Sequence, residues 1–302
     1  MPAAIPSTPT NPEAAPATAG DAEKWDEEIR AGRGLLTIPW RELWKYRDLI
    51  WLLGSRDIAT NYKQTVLGPA WFIVQPLMVT VVFSYLFGRM AKFGSDDIPH
   101  YLFYMGGLVP WGFFSDSVTK NANVFGQNAS IFSKVYFPRL CVPLATLMSN
   151  LVPLAVQFGL FLVGLAYYLA KGDPYTHPNW WILATPLVFV QIGAFALGIG
   201  CAVSALSRRF RDLAMGVKIG MQLLMFGSAI VFPISRIANA HDRWLFFLNP
   251  LVPPIEFFRY AFVGKSLVEP WQIALSALVS WTVFVAGLLL FQRAERDAMD
   301  TV

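Results

Sequence analysis

Residues 56–88 read RDIATNYKQTVLGPAWFIVQPLMVTVVFSYLFG, a charged and aromatic approach that turns at Gly68-Pro69 into a long uncharged run. From Gln64 to Gly88 no residue carries a formal charge. About 20 apolar residues rising about 1.5 Å each cross a hydrocarbon core of about 30 Å, so this run is long enough to span a bilayer. Proline suits a first helical turn, so Gly68-Pro69 marks where a helix lying on a membrane surface becomes one that crosses it.

Composition agrees with that reading. The chain of 302 residues is 55% hydrophobic and only 15% charged, more apolar surface than a soluble domain of this length can hide. A net charge of +4 then sorts basic residues by membrane side and is no sign of nucleic-acid binding. Cys141 and Cys201 sit at or within apolar runs without metal-ligand spacing and read as small buried hydrophobes.

Outward from the opening stretch, residues 1–34 form a cytoplasmic tail whose first 20 residues hold five prolines and six alanines, a disordered composition and no signal peptide. Residues 35–63 form an amphipathic interface helix, with Leu36, Trp40, Leu43, Trp44, Ile50, Trp51 and Ile58 close to one stripe and Arg41, Lys45 and Asp48 on another face. Residues 64–292 hold six uncharged runs, Gln64–Gly88, Ile98–Ser115, Leu140–Ala170, Pro174–Ser207, Ile219–Ser235 and Pro270–Gln292. They predict six transmembrane helices at about 68–88, 100–119, 142–168, 181–205, 214–234 and 271–291. The third and fourth runs exceed a membrane thickness without a convincing internal turn, so each reads as one tilted helix. The fold class is therefore an all-α integral membrane protein with both termini, including residues 293–302, in the cytoplasm. That orientation follows from Arg41, Lys45, Arg47, Arg56, Lys63, Lys120, Lys134, Arg139, Arg208, Arg209, Arg211, Arg293 and Arg296, which share one side of a six-span chain.

Residues 240–268 are neither a plain loop nor a span. The apolar pieces Trp244–Leu248 and Ile255–Val263 are too short to cross and are broken by Asn249-Pro250 and Pro253-Pro254. Two short helices dipping into the outer leaflet fit, with Glu256 and Arg259 paired three residues apart. Between the second and third spans, Asn128 or Ser130 caps a short helix at 130–137 whose Ile131, Phe132, Val135 and Tyr136 share a face, and Pro138 ends it. A helix of about two turns is marginal alone in water and needs a groove to dock into.

No phosphate loop, H-E-x-x-H or cysteine cluster occurs, so this chain has no recognisable nucleotide cradle or metal site of its own. Uncharged amides within the runs (Gln75, Asn150, Gln157, Gln191, Gln222) either line a path or hold helices together. Ala194, Gly198 and Ala202, with Ala196, Gly200 and Ser204, repeat every four residues as a helix-packing face. Rings at Tyr62, Trp71, Phe72, Tyr85, Tyr104, Trp111 and Phe114 exceed what interface belts require, and flat rings suit a sliding sugar polymer.

The run from Arg56-Asp57-Ile58 through Tyr62-Lys63-Gln64-Thr65-Val66-Leu67-Gly68-Pro69-Ala70-Trp71 to Gln75-Pro76-Leu77, with Phe103–Leu108 and Phe132–Arg139, resembles the permease subunit of bacterial polysaccharide ABC exporters, above all the O-antigen exporters. The resemblance covers roughly Trp40 to the end, and Leu248-Asn249-Pro250-Leu251 with Glu256 and Arg259 is shared more widely among type-two ABC exporters. It implies a homodimeric channel driven by two copies of a separate ATPase, which would hold the ATP and Mg. The cargo would be an undecaprenyl-diphosphate-linked glycan moved from cytoplasm to periplasm across the inner membrane. Carried onto this chain, the resemblance makes Trp40–Lys63 the interface helix and Ser130–Phe137 the coupling helix, with periplasmic gate helices around Trp244–Val263. Arg56 and Lys63 would steer the lipid diphosphate by charge-assisted contacts. A drug or small-lipid exporter of the same fold and a membrane enzyme acting on lipid-linked sugars are the alternatives. The enzyme's faint candidate is Asp96-Asp97 beside His100.

The basic-residue asymmetry makes a topological prediction. A cysteine introduced at Asn179 or Ala240 should react with an impermeant thiol reagent from the periplasm, and one at Asn123 or Arg209 should not. The opposite labelling pattern would invert the orientation.

Overall fold

The computed structural model describes residues 40–62, 68–91, 94–128, 137–208, 210, 212–237, 240–264 and 268–299. The Ile131, Phe132, Val135 and Tyr136 face and Lys63 lie outside them, as does the side chain of Tyr62. The described residues are helical throughout, joined by turns. α1 (Trp40–Lys45) and α2 (Arg47–Tyr62) lead through a 3-10 turn at Gly68–Ala70 into α3 (Trp71–Phe83), which widens into a π turn over Ser84–Met90. α4 (His100–Ala122) and α5 (Val124–Gln127) precede α6 (Cys141–Ser149) and α7 (Leu151–Ala170). α8 (Thr185–Ser207), α9 (Leu213–Phe226), α10 (Ala240–Phe247), α11 (Val252–Val263) and α12 (Pro270–Met299) complete the order. Four helical stretches are long and apolar enough to cross a membrane: Gly68–Met90, Cys141–Ala170, Trp180–Ser207 and Pro270–Arg296.

The centre of the bundle is α4. Sixteen of its 23 residues are buried, and it packs against α3, α7, α8, α9 and α11. Less apolar than the four long stretches, it carries Asp116 and Lys120 near its end, which a helix tolerates when it faces protein and not lipid. α3 illustrates the opposite case. Its buried residues are Phe72, Pro76 and Thr80, one contact line at four-residue spacing, and Trp71, Met78, Val81 and Tyr85 face outward. Across α1 and α2 two apolar faces separate. Leu43, Ile50 and Leu53 are buried against the α6 region, where Gly54 backs onto the Ala145 carbonyl, while Trp44, Trp51 and Leu52 are exposed.

Helix directions follow from the contacts. α3 and α7 run antiparallel to α4, because Phe83 meets Tyr104, Gly112 faces Gln157, and Tyr101 Oη donates to the Leu160 carbonyl at 2.9 Å. α8 runs parallel to α4, with Phe113 against Phe189 and Asn121 over Gly200. α12 runs parallel to α8: Gln191 Nε2 donates to Ser276 Oγ at 2.8 Å near one end, Gly198 backs onto Phe284 and Gly287 midway, and Arg208 donates to the Ala294 carbonyl at the other. Residues 208–269 must therefore return along the whole bundle, yet α9 has 14 residues and reaches only about 21 Å. The rest of that return falls to the unwound segment beyond Phe226 and the short helices α10 and α11.

The run expected as one tilted helix at 142–168 lies within the helical stretch Cys141–Ala170, which has a single irregular turn at Asn150, whose side chain donates to Ser117 Oγ at 3.0 Å and accepts from Lys120 Nζ at 2.5 Å. Pro153, three residues on, brings no N–H to the Ser149 region. The helix expected at 214–234 stops at Phe226, because Asn249 takes the Gly227 carbonyl and Pro233 bars any resumption.

The glycine contact between α8 and α12 is close enough to be decisive. A Cβ on Gly198 would lie 2.6 Å from Phe284 Cα, and one on Gly287 would meet the Gly198 carbonyl. Gly287→Val should push the helices apart and cost about 1–3 kcal/mol or more of stability, read as a lowered melting temperature of the detergent-solubilised protein. An unchanged melting temperature would contradict this packing.

Candidate functional site: a broken helix and a dipping hairpin

Beyond Phe226 the chain unwinds but stays buried, with Ser228, Ala229 and Ile230 fully enclosed. Backbone outside a helix at membrane depth must be sheltered and hydrogen-bonded, since no water reaches it. Side chains from α11 and the turn before it supply the partners. Asn249 Nδ2 donates to the Gly227 carbonyl at 3.1 Å and to Ser228 Oγ at 2.9 Å. Arg259 Nη1 donates to the Ala229 carbonyl at 2.7 Å, where Ala229 holds a left-handed φ of 55°. Such a φ is costly for a residue with a Cβ, by about 1–3 kcal/mol, and persists only where surrounding bonds fix it.

α10 and α11 form a hairpin that enters the bundle and leaves it again. Its turn is tied inward, with Ser276 Oγ donating to the Pro250 carbonyl at 2.5 Å, about 9 Å along α12 from Pro270. Its far end is tied outward: Asn179 Nδ2 donates to the Tyr260 carbonyl at 3.0 Å, and the His177 amide donates to the Val263 carbonyl at 3.2 Å. Gly264 closes α11 at φ 84°, where a Cβ would stand 2.8 Å from the His177 carbonyl, so glycine is required.

Arg259 is 1% exposed and pairs with Glu256 Oε1 at 2.5 Å. Its guanidinium carbon lies 4.0 Å from the centre of the Phe103 ring, a cation–π contact that occupies a face with no hydrogen-bonding group. Gly106 and Gly107 of α4 make the slot, since a Cβ on Gly107 would fall 2.5 Å from Arg259 Nη2. Arg259 Nε and Nη2 and the Tyr104 hydroxyl have no hydrogen-bond partner among the described residues. At the outer rim Ser235 Oγ donates to Asp96, whose φ of 55° is followed by 64° at Asp97. Among the described residues no three His, Cys, Asp or Glu side chains gather as a metal centre would need.

The residues singled out from sequence fall into separate places. Glu256 and Arg259 come together as the buried pair above. Trp71 of α3 and Tyr85 of the π turn after it are exposed, and Phe72 is buried on the contact line of α3. Tyr104, Trp111 and Phe114 are turned into the core, with Tyr104 edge-on to Phe103 at 5.2 Å, Trp111 tilted against Phe114 at 5.7 Å, and Phe114 stacked on Phe195 at 5.5 Å. The structure thus does not gather the six described rings into one surface, and the Tyr62 ring lies outside the described residues. Arg56 is half exposed beside Asp57 at 3.6 Å. Sequence reasoning named Asn150 as a path or helix-holding amide and Asn249 within the Leu248–Leu251 run, but missed the contacts of Asn249 and Gly106-Gly107 and the partners Lys120 and Ser117 of Asn150. The glycine doublet was the available signal, because each mid-helix glycine costs about 1 kcal/mol unless space is needed.

Long apolar helices around a broken return and a dipping hairpin define a multi-pass transport-type membrane protein. The family model for ABC-2 type transporters matches residues 48–263, and the chain belongs to that family. It is similar to the O-antigen export system permease protein RfbA of Myxococcus xanthus, 28% identical over 265 residues that cover 87% of this chain and 98% of the relative. RfbA of Klebsiella pneumoniae is 27% identical over 253 residues, covering 82% and 92%. The polysialic acid transport protein KpsM of Escherichia coli is 25% identical over 247 residues, covering 82% and 93%. The chain is a multi-pass protein of the inner membrane.

Removing one member of a buried ion pair strands the other. Arg259→Met should lower stability by about 3–5 kcal/mol, and Glu256→Gln combined with Arg259→Met should recover part of it, measured by thermal unfolding in detergent. A single variant as stable as the wild type would remove the pair from its structural role.

Proposed function

We propose that this chain is the channel-forming permease of an ATP-driven exporter that moves a lipid-linked polysaccharide, of the O-antigen or a related type, from cytoplasm to periplasm. The observation that carries the reading is the match to export permeases over nine-tenths or more of their length. In this reading the chain crosses six times with both termini in the cytoplasm. The parallel course of α4, α8 and α12 supports that count, because α9 and the unwound segment must supply the fifth passage.

The working unit is a homodimer. α9 supports this, having no buried residue, an exposed Met215-Ile219-Leu223 line, and open space beside Gly216 and Gly220. Two copies of a separate ATPase hold the ATP and Mg, and this chain binds no cofactor. Ile131, Phe132, Val135 and Tyr136 dock into the ATPase, and Arg56 and Lys63 steer the undecaprenyl diphosphate at the cytoplasmic mouth. Trp71 and Tyr85 face the glycan path with Tyr62, while Phe72, Tyr104, Trp111 and Phe114 shape the path from behind. The Glu256–Arg259 hairpin is the periplasmic gate.

Deleting the gene should abolish the surface glycan and leave its lipid-linked precursor in the cytoplasm. Unchanged glycan with altered drug sensitivity would favour the small-molecule exporter. The double variant Phe132→Ala with Tyr136→Ala should remain in the membrane but lose the ATPase on purification, since truncating a central anchor costs on the order of 2 kcal/mol. Normal ATPase stoichiometry together with normal export would refute the coupling role.

A further inference from the structure

Where α10 approaches the start of α12, Trp244 and Trp271 lie ring against ring, centroids 5.3 Å apart and planes inclined by 35°. Both indoles remain exposed, at 54% and 42%. The Trp271 indole N–H donates to Glu269 Oε2 at 2.5 Å, which fixes both the ring and the carboxylate. The Glu269 amide accepts no freedom either, donating to Gln272 Oε1 at 3.0 Å. The result is a stepped aromatic face with a carboxylate held at its edge, at the end where the hairpin leaves the bundle.

We propose that Trp244, Trp271 and Glu269 form a glycan-contact site at the outer mouth, a reading that rests on the exporter function above. Flat rings take the C–H faces of sugars, and the oxygen of Glu269 not engaged by Trp271 accepts from sugar hydroxyls. The carboxylate also decides against a lipid phosphate as occupant, since like charges at that distance repel. Trp180, in the turn leading to α8 at the same end, is 88% exposed with no ring stacked on it among the described residues, and serves as the comparison.

The test uses the intact exporter in its own host, with pulse-labelled glycan followed to the cell surface. Trp244→Leu with Trp271→Leu keeps apolar bulk but removes the flat faces, and should slow surface appearance about five-fold at unchanged membrane level. Trp244→Leu alone should slow it in the same direction, so the answer does not hang on how the double variant folds. The corresponding Phe variants should stay within about two-fold of wild type, and Trp180→Leu should match it. Wild-type export by both Leu variants, or equal slowing by Trp180→Leu, would overturn the site in favour of a plain interface belt. Surface glycan that persists after deletion of the whole chain would instead overturn the exporter reading.

Discussion

A backbone carbonyl withdrawn from water needs a donor, and the carbonyls of Gly227 and Ala229 are where this fold meets that demand. The return from α8 to α12 cannot be made by α9 alone, so backbone without helical bonds lies inside the bundle. Everything nearby follows. Asn249 and Arg259 reach the two carbonyls, Glu256 balances the arginine, and Phe103 covers the guanidinium face. α4 carries Gly106-Gly107 because no side chain fits between its backbone and Arg259. The glycines are thus set by a residue some 150 positions later in the chain.

The bundle is built around its least lipid-like helix. Apolarity drives a helix into the membrane but does not distinguish lipid from protein, and association inside depends on close approach and shape. α8 supplies that approach on two sides, with Gly198 against α12 and Gly200 under Asn121 of α4. Phenylalanines from α7, α8 and α11 pack beside this contact, where Phe158, Phe161, Phe258 and Phe262 meet at 5.0–6.4 Å. Aromatic pairs of this kind, two of them edge-to-face, add about 0.5–1.5 kcal/mol each beyond their buried area. They clamp α11 in place while its polar residues hold the unwound segment.

Much of this was legible in the sequence because charge marks where a helix meets water. The uncharged runs Gln64–Gly88, Leu140–Ala170, Pro174–Ser207 and Pro270–Gln292 make up most of the four long stretches, and Asn249-Pro250 and Pro253-Pro254 marked the hairpin. The small-residue repeat at Gly198 and Gly200 pointed to packing for the right reason. Three features were not legible. The stop at Phe226 is imposed by Asn249, which is distant in sequence. The partners of Asn150, Ser117 and Lys120, belong to another helix. The inward turn of Tyr104, Trp111 and Phe114 could not be read from ring density, since lipid-facing, path-facing and core rings look alike along one chain.

The two ways in which this bundle is joined differ in what they permit. Gly198 against Gly287 is a contact of backbone on backbone, with no rotamer to change, so α8 and α12 move together or not at all. The hairpin is held instead by directional bonds from a few side chains to the carbonyls of Gly227, Ala229 and Pro250. Such bonds exchange partners one at a time, and Arg259 keeps two nitrogens unspent with which to do so. Ala229 is held in a strained conformation by one of them, so release of that bond also releases backbone strain. α4, α8 and α12 thus make a rigid frame, and the hairpin is latched to it by polar contacts that can exchange.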